Sequence, residues 1–597
     1  MCGIIGYYGE GQIESLLIDK LRLLEYRGYD SAGIAVKNQS GIRVTKEVGF
    51  IDNLQKKVVP LPGAVLGIGH TRWATHGEPS VLNAHPHVSE DGKWAVVHNG
   101  IIENYESLRE KLRGLGYGFK SRTDTETIAK LLEYTTARKG LGFMETLITA
   151  AKSLDGSYAL GVINRDSDSL YFAKNQSPLY VAKGDGGYMI ASDPMCFVGF
   201  SQSYYVVDDG DFGMAGEDGL KFFDGSCQLI EKSEVSLSLA HFDLTNNFDH
   251  FMLKEIYDSA QSLDDLIDHY GKEGSLNMIG EDLIKGVNRI KVVGCGTAYN
   301  AALVGAKMIE EKTRIECTAY VASEFRYATP TFDKNTLVIF VSQSGETADT
   351  LAALELARSR GAKTLSVVNV PYSALATKAD VFVPIKAGVE VAVASTKAYV
   401  CMVTVLYVLS LQLNKLISGE DFDLGNVKAL KDLLSVGKRF EYEKIADLLI
   451  NADRIMMIGR GYDFYTAKEA CMKIVGTSYL NANAYFAGEL KHGPIALVEK
   501  GTYVVVFATE EDVLSKTLSN AEETAARGAK LILCTPINLP KEKAEKFDRI
   551  IKVSKIDCPL QTVLNIIPWQ LIAYHIAVKK GLNPDRPRNL AKSVTVE

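Results

Sequence analysis

Short apolar segments that alternate with polar turn residues dominate the first part of the chain. They are typical of β-strands, since a strand presents successive side chains to opposite faces and ends at Gly, Asn or Asp turns. The clearest predicted strands are Gly33–Val36, Trp94–Val97, Tyr158–Ile163 and Gly187–Ala191. Near Glu14–Glu25 and Thr125–Ala137 the apolar residues have helical spacing instead. Strands with segregated helices predict a layered α+β domain over residues 2–235.

The pattern changes after residue 235. From about Glu231 to Phe248 the chain loses its apolar periodicity among many polar residues, so we predict a linker at residues 236–247. Beyond the linker, short apolar runs alternate with helical segments. This alternation is typical of a parallel sheet covered by helices.

The second half of the chain repeats itself. One apolar run that ends in glycine, Arg289–Gly294, has a counterpart in Arg454–Gly459. Further on, Leu337–Val341 and Arg360-Gly-Ala-Lys363 correspond to Tyr503–Phe507 and Arg527-Gly-Ala-Lys530 at nearly the same offset. We therefore predict two copies of one doubly wound α/β domain, residues 279–418 and 446–587, followed by a tail of residues 588–597.

The two copies differ in the loop that follows one of the matched strands. The first copy has Ser342-Gln-Ser-Gly-Glu-Thr347, and the second has Ala508-Thr-Glu-Glu-Asp512. Hydroxyl groups and free backbone N–H groups at a strand-to-helix turn favour an anion, whereas several carboxylates repel one. A Ser- and Gly-rich turn is more often a simple helix cap, but the contrast between the copies favours one phosphate-bearing ligand, bound by the first copy.

Composition narrows the class of protein. The chain has 597 residues, 46% of them hydrophobic, and a net charge of −7, so it lacks the basic surface of a general nucleic-acid binder. Its nine cysteines are scattered without a CxxC pair, which favours a reducing compartment and no zinc site. The start of the chain does not resemble a secretory signal, and the most apolar stretch, Ala398–Leu411, is short for a membrane span. We expect a cytoplasmic protein with a buried helix at that stretch.

Cys2 is a candidate nucleophile. Removal of the preceding methionine would leave a thiol beside a free α-amine, and the ordinary pKa values of the two groups are matched for proton transfer near neutral pH. An N-terminal nucleophile that carries its own base is an established form of covalent catalysis. A small residue at the start of a strand is the more common explanation of an isolated cysteine here.

Polar motifs elsewhere in the β-rich region favour the catalytic interpretation. They are Arg27-Gly-Tyr-Asp-Ser31, His70-Thr-Arg-Trp-Ala-Thr-His76, His98-Asn-Gly100 and Arg122-Thr-Asp124. An Asn-Gly pair at a strand end offers the side-chain and backbone donors of an oxyanion hole, although it is also a common hairpin turn. Arginine and aspartate suit the two charged ends of a free amino acid. The histidines have no metal-ligand spacing.

The chain resembles the glutamine:fructose-6-phosphate amidotransferases, the glucosamine-6-phosphate synthases, from Cys2 to Glu597. The resemblance implies a class II glutamine amidotransferase of the Ntn-hydrolase fold, a four-layer sandwich, followed by two SIS domains that bind phosphosugars. It implies that Cys2 is the nucleophile and that Asn99 and Gly100 form the oxyanion hole. The residues implied to contact glutamine are Arg72, His76, Asp124 and Trp73, the last also gating an ammonia channel.

The same resemblance assigns the sugar site. The residues that match the fructose-6-phosphate pocket are Cys295, Gly296, Thr297, Ser342, Gln343, Ser344, Thr347, Val393, Ala394 and Ser395. In the C-terminal tail, Lys592 would form a Schiff base with the sugar ketone, for which a lysine is suited. His492 would open the sugar ring across a dimer interface, so a homodimer is implied. No cofactor or metal is required.

Two positions depart from the family pattern. Gly476 stands where the family has the glutamate assigned to proton transfer between C1 and C2, and Ala298 stands where many members have a phosphate-contacting serine. General acid–base catalysis contributes about 10²–10⁴-fold to rate. Either another carboxylate such as Glu469 or Glu489 replaces the missing group, or isomerisation is slow, or the substrate is a different phosphosugar.

Three functions therefore compete. We favour synthesis of glucosamine 6-phosphate and glutamate from glutamine and fructose 6-phosphate, with ammonia passing between two sites. A phosphosugar-binding regulator with a vestigial isomerase site is disfavoured by the presence of Cys2 and Lys592. A class II amidotransferase acting on a ribose pyrophosphate or on glutamate is disfavoured by the duplicated α/β domain.

Overall fold

The computed structural model describes residues 2–74, 77–237, 247–272, 279–327, 331–434 and 439–595. The chain forms two compact units. One is Met1–Asp243 together with Ala591–Glu597, and the other is Leu244–Leu590. Most of the predicted linker, residues 238–246, lies outside the described residues.

The first unit is built on two antiparallel sheets. Its strands are β1 Gly3–Gly9, β2 Ser31–Asn38, β3 Gly41–Val48, β4 Leu66–Arg72, β5 His87–Val88, β6 Trp94–Ile102, β7 Gly156–Asn164, β8 Leu170–Asn175, β9 Tyr180–Gly184, β10 Gly187–Ala191, β11 Ser203–Val206, β12 Phe212–Gly216, β13 Gly219–Phe223, β14 Leu229–Ile230 and β15 Glu234–Ser236. Its helices are α1 Ile13–Leu24, α2 Ile51–Gln55, α3 Tyr105–Gly114, α4 Thr125–Lys139 and α5 Phe143–Ala151. The predicted strands and helices of this region are confirmed.

The two sheets stack face to face between layers of helices. The 8-stranded sheet has the order β15-β11-β9-β10-β1-β4-β2-β3, and the 7-stranded sheet has the order β14-β13-β12-β8-β7-β6-β5. Side chains such as Ile4 and Val97 fill the space between them. Helix α1 packs on the outer face of the first sheet, and α3, α4 and α5 pack on the outer face of the second. This helix–sheet–sheet–helix order is the predicted four-layer sandwich.

The second unit contains two parallel sheets. Its strands are β16 Arg289–Gly294, β17 Glu316–Val321, β18 Thr336–Ser342, β19 Lys363–Val368, β20 Val381–Pro384, β21 Ile455–Gly459, β22 Ala482–Phe486, β23 Tyr503–Phe507, β24 Lys530–Thr535 and β25 Arg549–Lys552. Both sheets have the same strand order when the strands of each copy are counted from its start: second, first, third, fourth, fifth. In chain numbering these orders are β17-β16-β18-β19-β20 and β22-β21-β23-β24-β25. The internal repeat predicted from the sequence is therefore a repeat of structure.

Helices cover both sheets and join the two copies. They are α6 Phe251–Tyr257, α7 Ser259–Tyr270, α8 Glu281–Ile284, α9 Gly296–Thr313, α10 Ala322–Phe325, α11 Ala348–Ser359, α12 Ala374–Lys378, α13 Lys397–Ser418, α14 Gly425–Leu433, α15 Arg439–Leu449, α16 Tyr462–Ser478, α17 Leu514–Ala525, α18 Lys541–Ala544 and α19 Gln561–Lys579. One hydrophobic cluster contains residues of α9, α13, α16 and α19, so the copies share a core.

Helix α13 is long and apolar enough to cross a membrane by length and composition, and 67% of its most apolar window is buried inside the protein. It packs against α9 within the shared core. Its buried side chains include the whole run Lys397–Ser410. The prediction of a buried helix at Ala398–Leu411 is confirmed.

Candidate active sites

Cys2 lies immediately before β1, a central strand of the larger sheet of the first unit. The backbone N–H of Trp73, just beyond the end of β4, donates to the Cys2 Sγ at 3.2 Å. A Cβ at Gly3 would lie 2.6 Å from both Leu24 Cβ and Thr71 Oγ1, so only glycine allows the strand to begin here. The chain start is therefore held in the sheet with its thiol beside the end of β4.

The environment of the thiol has opposing effects on its ionisation. Burial is the largest influence and raises the pKa of Cys2, while the Trp73 N–H and the charge of Arg72 lower it. The net effect is a raised pKa. A thiol with a raised pKa needs a nearby base to become a nucleophile.

Asn99 and Gly100 belong to β6, in the other sheet of the sandwich. The side-chain Nδ2 of Asn99 donates to the carbonyl oxygen of Cys2 at 2.9 Å. The pair is not a hairpin turn, since both residues are in register with β7. Gly100 has φ of 127°, and a Cβ there would lie 2.1 Å from the carbonyl oxygen of Ser157. The backbone conformation of the candidate oxyanion hole therefore requires glycine.

Arg72 and Asp124 lie close enough to Cys2 to influence its charge. Arg72 is the last residue of β4 and donates to the carbonyl oxygen of Gly77 at 2.9 Å. The buried Asp124 precedes α4 and accepts from the backbone N–H of Ile102 at 2.9 Å. The site thus contains a cation and a carboxylate, which suit a zwitterionic amino acid.

Trp73 and His76 are the other two residues predicted to contact glutamine. The Trp73 ring makes an edge contact with Tyr29, with ring centroids 5.7 Å apart. His76 lies outside the described residues. Its predicted contact with glutamine remains a prediction.

The predicted sugar residues of the second unit lie at the carboxyl ends of parallel strands. Cys295 and Gly296 follow β16 and begin α9, and Ser342 ends β18. In the loop that leads to α11, Ser342 Oγ accepts from the backbone N–H of Gly345 at 2.9 Å. Gly345 has φ of 69°, and a Cβ there would lie 2.0 Å from Ser373 Oγ. Loops at this edge of an open parallel sheet are the usual place for a ligand.

The remaining residues of that loop are also at this edge. Gln343 accepts at its backbone carbonyl from Asn369 N at 3.3 Å, and Ser344 Oγ accepts from Glu346 N at 3.2 Å. Thr347 is the N-cap residue of α11, where the first backbone N–H groups of the helix lie. These groups form the candidate phosphate loop predicted from the sequence.

The segment Val393–Ser395 precedes α13 and joins this region from another side. Val393 donates its N–H to the carbonyl oxygen of Asp585 at 3.0 Å, and Ser395 Oγ donates to Glu390 Oε2 at 2.7 Å. The Lys473 Nζ donates to the Ser395 carbonyl oxygen at 2.7 Å and to Thr297 Oγ1 at 3.0 Å. Lys473 therefore connects two of the predicted sugar loops.

Lys473 is the functional candidate that the sequence interpretation missed. Its Nζ lies 3.0 Å from Glu469 Oε1, and their side chains are 3% and 0% exposed. Glu469 also accepts from Thr297 Oγ1 at 3.2 Å and from Asn300 Nδ2 at 2.7 Å. The pair could have been predicted from the sequence, because Glu469 and Lys473 are four residues apart on the predicted helix and therefore lie on the same face.

Gly476, one turn beyond Lys473 on α16, has space around it. The nearest atom to a Cβ at this position, apart from the backbone of its own helix, is Leu590 Cδ1 at 3.7 Å. This is an ordinary van der Waals distance. The structure therefore gives no steric reason for a glycine here.

The second copy fills its own anion site with a carboxylate. Glu510 Oε1 accepts from the backbone N–H of Tyr462 at 2.6 Å and of Asp463 at 3.4 Å, at the start of α16. A Cβ at Gly461 would lie 2.4 Å from that oxygen. The acidic loop thus caps α16. The equivalent helix of the first copy, α9, begins at the candidate sugar site.

The resemblance also assigns roles to His492 and Lys592. His492 ends the short 3₁₀ segment Ala487–His492 and is exposed, as is Glu489. Lys592 belongs to Ala591–Glu597, which groups with the first unit. Among the described residues, no group of three His, Cys, Asp or Glu side chains is arranged to hold a metal ion.

Both the first and the second half of the chain are similar in sequence to known proteins. Residues 70–199 match the family model of the glutamine amidotransferase domain, and residues 283–411 and 448–580 match that of the SIS domain. A "Glutamine--fructose-6-phosphate aminotransferase [isomerizing]" of Clostridium acetobutylicum is 41% identical over 622 residues, covering 100% of both chains. The chain belongs to the glutamine–fructose-6-phosphate aminotransferase family. A relative of the same name from Pyrococcus horikoshii is 40% identical, again over the full length of both chains.

A solved structure supports the same assignment for the second half. The C-terminal domain of a glucosamine-fructose-6-phosphate aminotransferase from Francisella tularensis is 33% identical, with a TM-score of 0.53. The match covers 57% of this chain and 99% of that one. Membership of the aminotransferase family thus agrees with the predicted fold class, an amidotransferase domain followed by two SIS domains.

Proposed function

We propose that the chain transfers the amide nitrogen of glutamine to fructose 6-phosphate, forming glucosamine 6-phosphate and glutamate. The observation that carries this proposal is the 41% identity to an aminotransferase of that name over the full length of both chains. The hydrogen bond from the Asn99 side chain to the carbonyl oxygen of Cys2 supports it independently, because it places an amide donor next to the residue that carries the thiol.

In the glutamine half, Cys2 attacks the side-chain amide carbon, and the free α-amine of the mature chain removes the thiol proton. The Asn99 Nδ2 and the Gly100 N–H donate to the developing oxyanion. Arg72 and Asp124 hold the α-carboxylate and α-ammonium groups of glutamine. His76 and Trp73 complete the site, Trp73 as the gate for ammonia.

In the sugar half, the loop Ser342–Thr347 binds the phosphate, and Cys295–Thr297 with Val393–Ser395 bind the sugar. Hydroxyl and backbone N–H groups in the phosphate loop support this assignment. Lys592 forms the Schiff base with the ketone. His492 of a second copy opens the ring, so the enzyme acts as a homodimer in the cytoplasm.

Proton transfer between C1 and C2 falls to Glu469 rather than Glu489. Glu469 contacts Thr297, one of the proposed sugar residues, whereas Glu489 is exposed. The Glu469 carboxylate lies 3.0 Å from Lys473 Nζ, so it sits beside a cation as well as beside a proposed sugar residue. The absence of a carboxylate at position 476 is expected to make this step slower.

The test is to incubate the full-length protein with glutamine, with and without fructose 6-phosphate, and to quantify glutamate and amino sugar by mass spectrometry. Equal amounts of glutamate and glucosamine 6-phosphate are expected. Cys2→Ala should form neither product, and Lys592→Arg should form glutamate alone.

Glutamate without amino sugar from the unaltered enzyme would contradict the sugar half of the proposal. It would favour the second candidate, a paralogue whose isomerase site is impaired by Gly476 or takes another phosphosugar. Repeating the incubation with other ketose and aldose phosphates would separate these two explanations.

A further inference from the structure

A buried histidine connects the two sheets of the first unit beside Asn99. His70 lies on β4 of one sheet, Asn99 lies on β6 of the other, and both side chains are buried. The His70 Nε2 is 3.1 Å from Asn99 Oδ1 and 3.0 Å from the carbonyl oxygen of His98. One ring nitrogen therefore faces two oxygen atoms.

These contacts determine where the imidazole carries its proton. A backbone carbonyl oxygen can only accept a hydrogen bond, so the His70 Nε2 must be the protonated nitrogen. The His70 Nδ1 is buried and has no hydrogen-bond partner among the described residues, so a second proton there would be stranded. Burial lowers the pKa of His70 to about 3, in agreement with a neutral ring that donates from Nε2.

The same reasoning determines the orientation of the Asn99 amide. The carbonyl oxygen of Cys2 accepts from the Asn99 side chain at 2.9 Å, so the atom that faces Cys2 is the nitrogen. The oxygen then faces His70, whose N–H donates to it. Each end of the amide has the partner that its chemistry requires, and rotation by 180° would oppose two acceptors at one end and two donors at the other.

We propose that His70 is a positioning residue for glutamine hydrolysis, which holds the Asn99 amide with Nδ2 directed toward Cys2. The inference rests on the proposed function of the Cys2 site and assigns a role to a residue outside it. In a rotated amide, Oδ1 would face the oxyanion, and a donor would be replaced by a repelling acceptor. Loss of one oxyanion donor costs about 10²–10³-fold in kcat, which sets the upper limit of the effect.

The neighbours of His70 hold its ring in place. The His85 ring stacks on it with centroids 4.0 Å apart and an interplanar angle of 23°. Gly33 is the β2 partner of His70, and a Cβ there would lie 2.2 Å from the carbonyl oxygen of His85. Only glycine at position 33 leaves room for the backbone that carries the stacked His85 ring.

The test compares His70→Leu with His70→Gln in the full-length protein. Leucine fills much of the space without a donor, while the glutamine amide can place an N–H near the position of the imidazole Nε2. We expect His70→Leu to lower kcat for glutamine hydrolysis by about 10–100-fold with little change in KM, because an oxyanion hole acts in the transition state. His70→Gln should recover most of that loss.

A double-mutant cycle separates positioning from a general structural effect. In an Asn99→Ala background, His70→Leu should cause no further loss of kcat, because its target is gone. Alkylation of Cys2 by iodoacetamide, which forms no oxyanion, should proceed at the same rate in all variants. A further loss in the Asn99→Ala background, or an unchanged kcat in His70→Leu, would overturn the proposal.

The proposed function fails in a distinguishable way. If Asn99→Ala itself hydrolyses glutamine at the normal rate, the oxyanion hole is wrongly assigned and the role of His70 falls with it. If Asn99→Ala is slow and His70→Leu is not, only the positioning role is excluded.

Discussion

A side chain at position 100 would collide with the neighbouring strand. Gly100→Ala places a methyl group 2.1 Å from the Ser157 carbonyl oxygen and adds the strain of a φ of 127°. We expect kcat for glutamine hydrolysis to fall by about 10²-fold or more, since β6 must shift and the oxyanion donors move with it. Steady-state assay of glutamate release measures this.

Gly92→Ala is the matched control for Gly100→Ala. Gly92 also has positive φ, 70°, but a Cβ there would meet no atom within 4 Å. It should lower stability by about 1 kcal/mol and leave glutamine hydrolysis unchanged. Equal activity losses in the two variants would show that the close contact with Ser157 is unimportant.

Replacing Gly476 tests the departure from the family pattern. Gly476→Glu should raise amino-sugar formation by about tenfold or more without changing glutamine hydrolysis, because a general acid–base group is worth about 10²–10⁴-fold. Both rates can be measured in one incubation by mass spectrometry. The spacing to Leu590, 3.7 Å from a Cβ, leaves room for the first carbon of the side chain.

Gly476→Ala controls for the effect of any side chain at that position. It should leave both rates unchanged and stabilise the helix by about 0.5–1 kcal/mol, since glycine disfavours a helix interior. If alanine raises amino-sugar formation as much as glutamate does, the gain comes from helix stability and not from a carboxyl group.

At the scale of single residues, catalytic groups could be predicted from the sequence where they belong to one short motif. Cys2, Asn99 and Gly100 lie in short contiguous motifs whose residue types suggest a nucleophile and an oxyanion hole. The contact of His70 with Asn99 was not predictable, because it joins strands of two different sheets. No spacing along the chain reports such a contact.

At the scale of elements, the Lys473–Glu469 pair joins helix α16 of the second copy to α9 of the first. Lys473→Met would leave the Glu469 carboxylate buried without its cation, at a cost of about 3–5 kcal/mol. We expect a lower unfolding temperature by calorimetry and a loss of amino-sugar formation. Glutamine hydrolysis should be unaffected.

The double variant Lys473→Met/Glu469→Gln distinguishes an ion pair from simple packing. It removes both charges, so its stability should be closer to that of the unaltered protein than the stability of Lys473→Met is. Additive losses in the two single variants would contradict the pairing. Amino-sugar formation should stay low in the double variant, since Glu469 is the proposed proton carrier.

The start of α16 also contains a group that responds to pH. Burial raises the pKa of Asp463 to about 7, against the lowering effect of hydrogen bonds from Thr509. The unfolded chain ionises at this position near pH 4, while the folded protein retains the proton up to about pH 7. The free energy of unfolding should therefore fall as pH rises from about 4 to 7 and then level off for this group.

Comparison of urea unfolding at pH 5 and pH 8 measures this dependence. In Asp463→Asn the destabilisation between the two pH values should be smaller, because the titrating group is gone. The exposed Asp453→Asn should behave like the unaltered protein. Identical pH dependence in all three proteins would exclude Asp463 as a source.

The repeat could be predicted at the element scale because apolar runs and glycines recur at one offset. Only one property of the acidic loop could be predicted, namely that it does not bind phosphate. The carboxylates of Ala508–Asp512 indicate that phosphate is excluded, but not that Glu510 binds the start of α16 itself. That contact depends on the bend at Gly461, which sequence alone does not report.

At the scale of the whole molecule, the tail has an unexpected assignment. The predicted repeat ends at residue 587, so the sequence assigns residues 588–597 to neither α/β domain. The structure groups Ala591–Glu597 with the first unit, although the chain between them runs through the second. Neither hydrophobic periodicity nor composition indicates where so short a polar segment belongs.

Lys592, in this tail, is expected to react with the sugar. A Schiff base between its Nζ and the ketone of fructose 6-phosphate releases water, and borohydride reduces the imine to a stable amine. Treatment of the full-length enzyme with fructose 6-phosphate and borohydride should therefore attach one reduced sugar phosphate to the C-terminal peptide, as seen by peptide mass spectrometry. Lys592→Arg should prevent both labelling and amino-sugar formation while glutamine hydrolysis continues.

Another lysine provides the comparison that makes this result specific. Lys473 is buried, and its Nζ already contacts Glu469, Thr297 and Ser395, so we expect no Schiff base there. Labelling at Lys473, or labelling of Lys592→Arg at the normal level, would contradict the role of the tail. Labelling at Lys592 alone would support its role in the covalent step on the sugar.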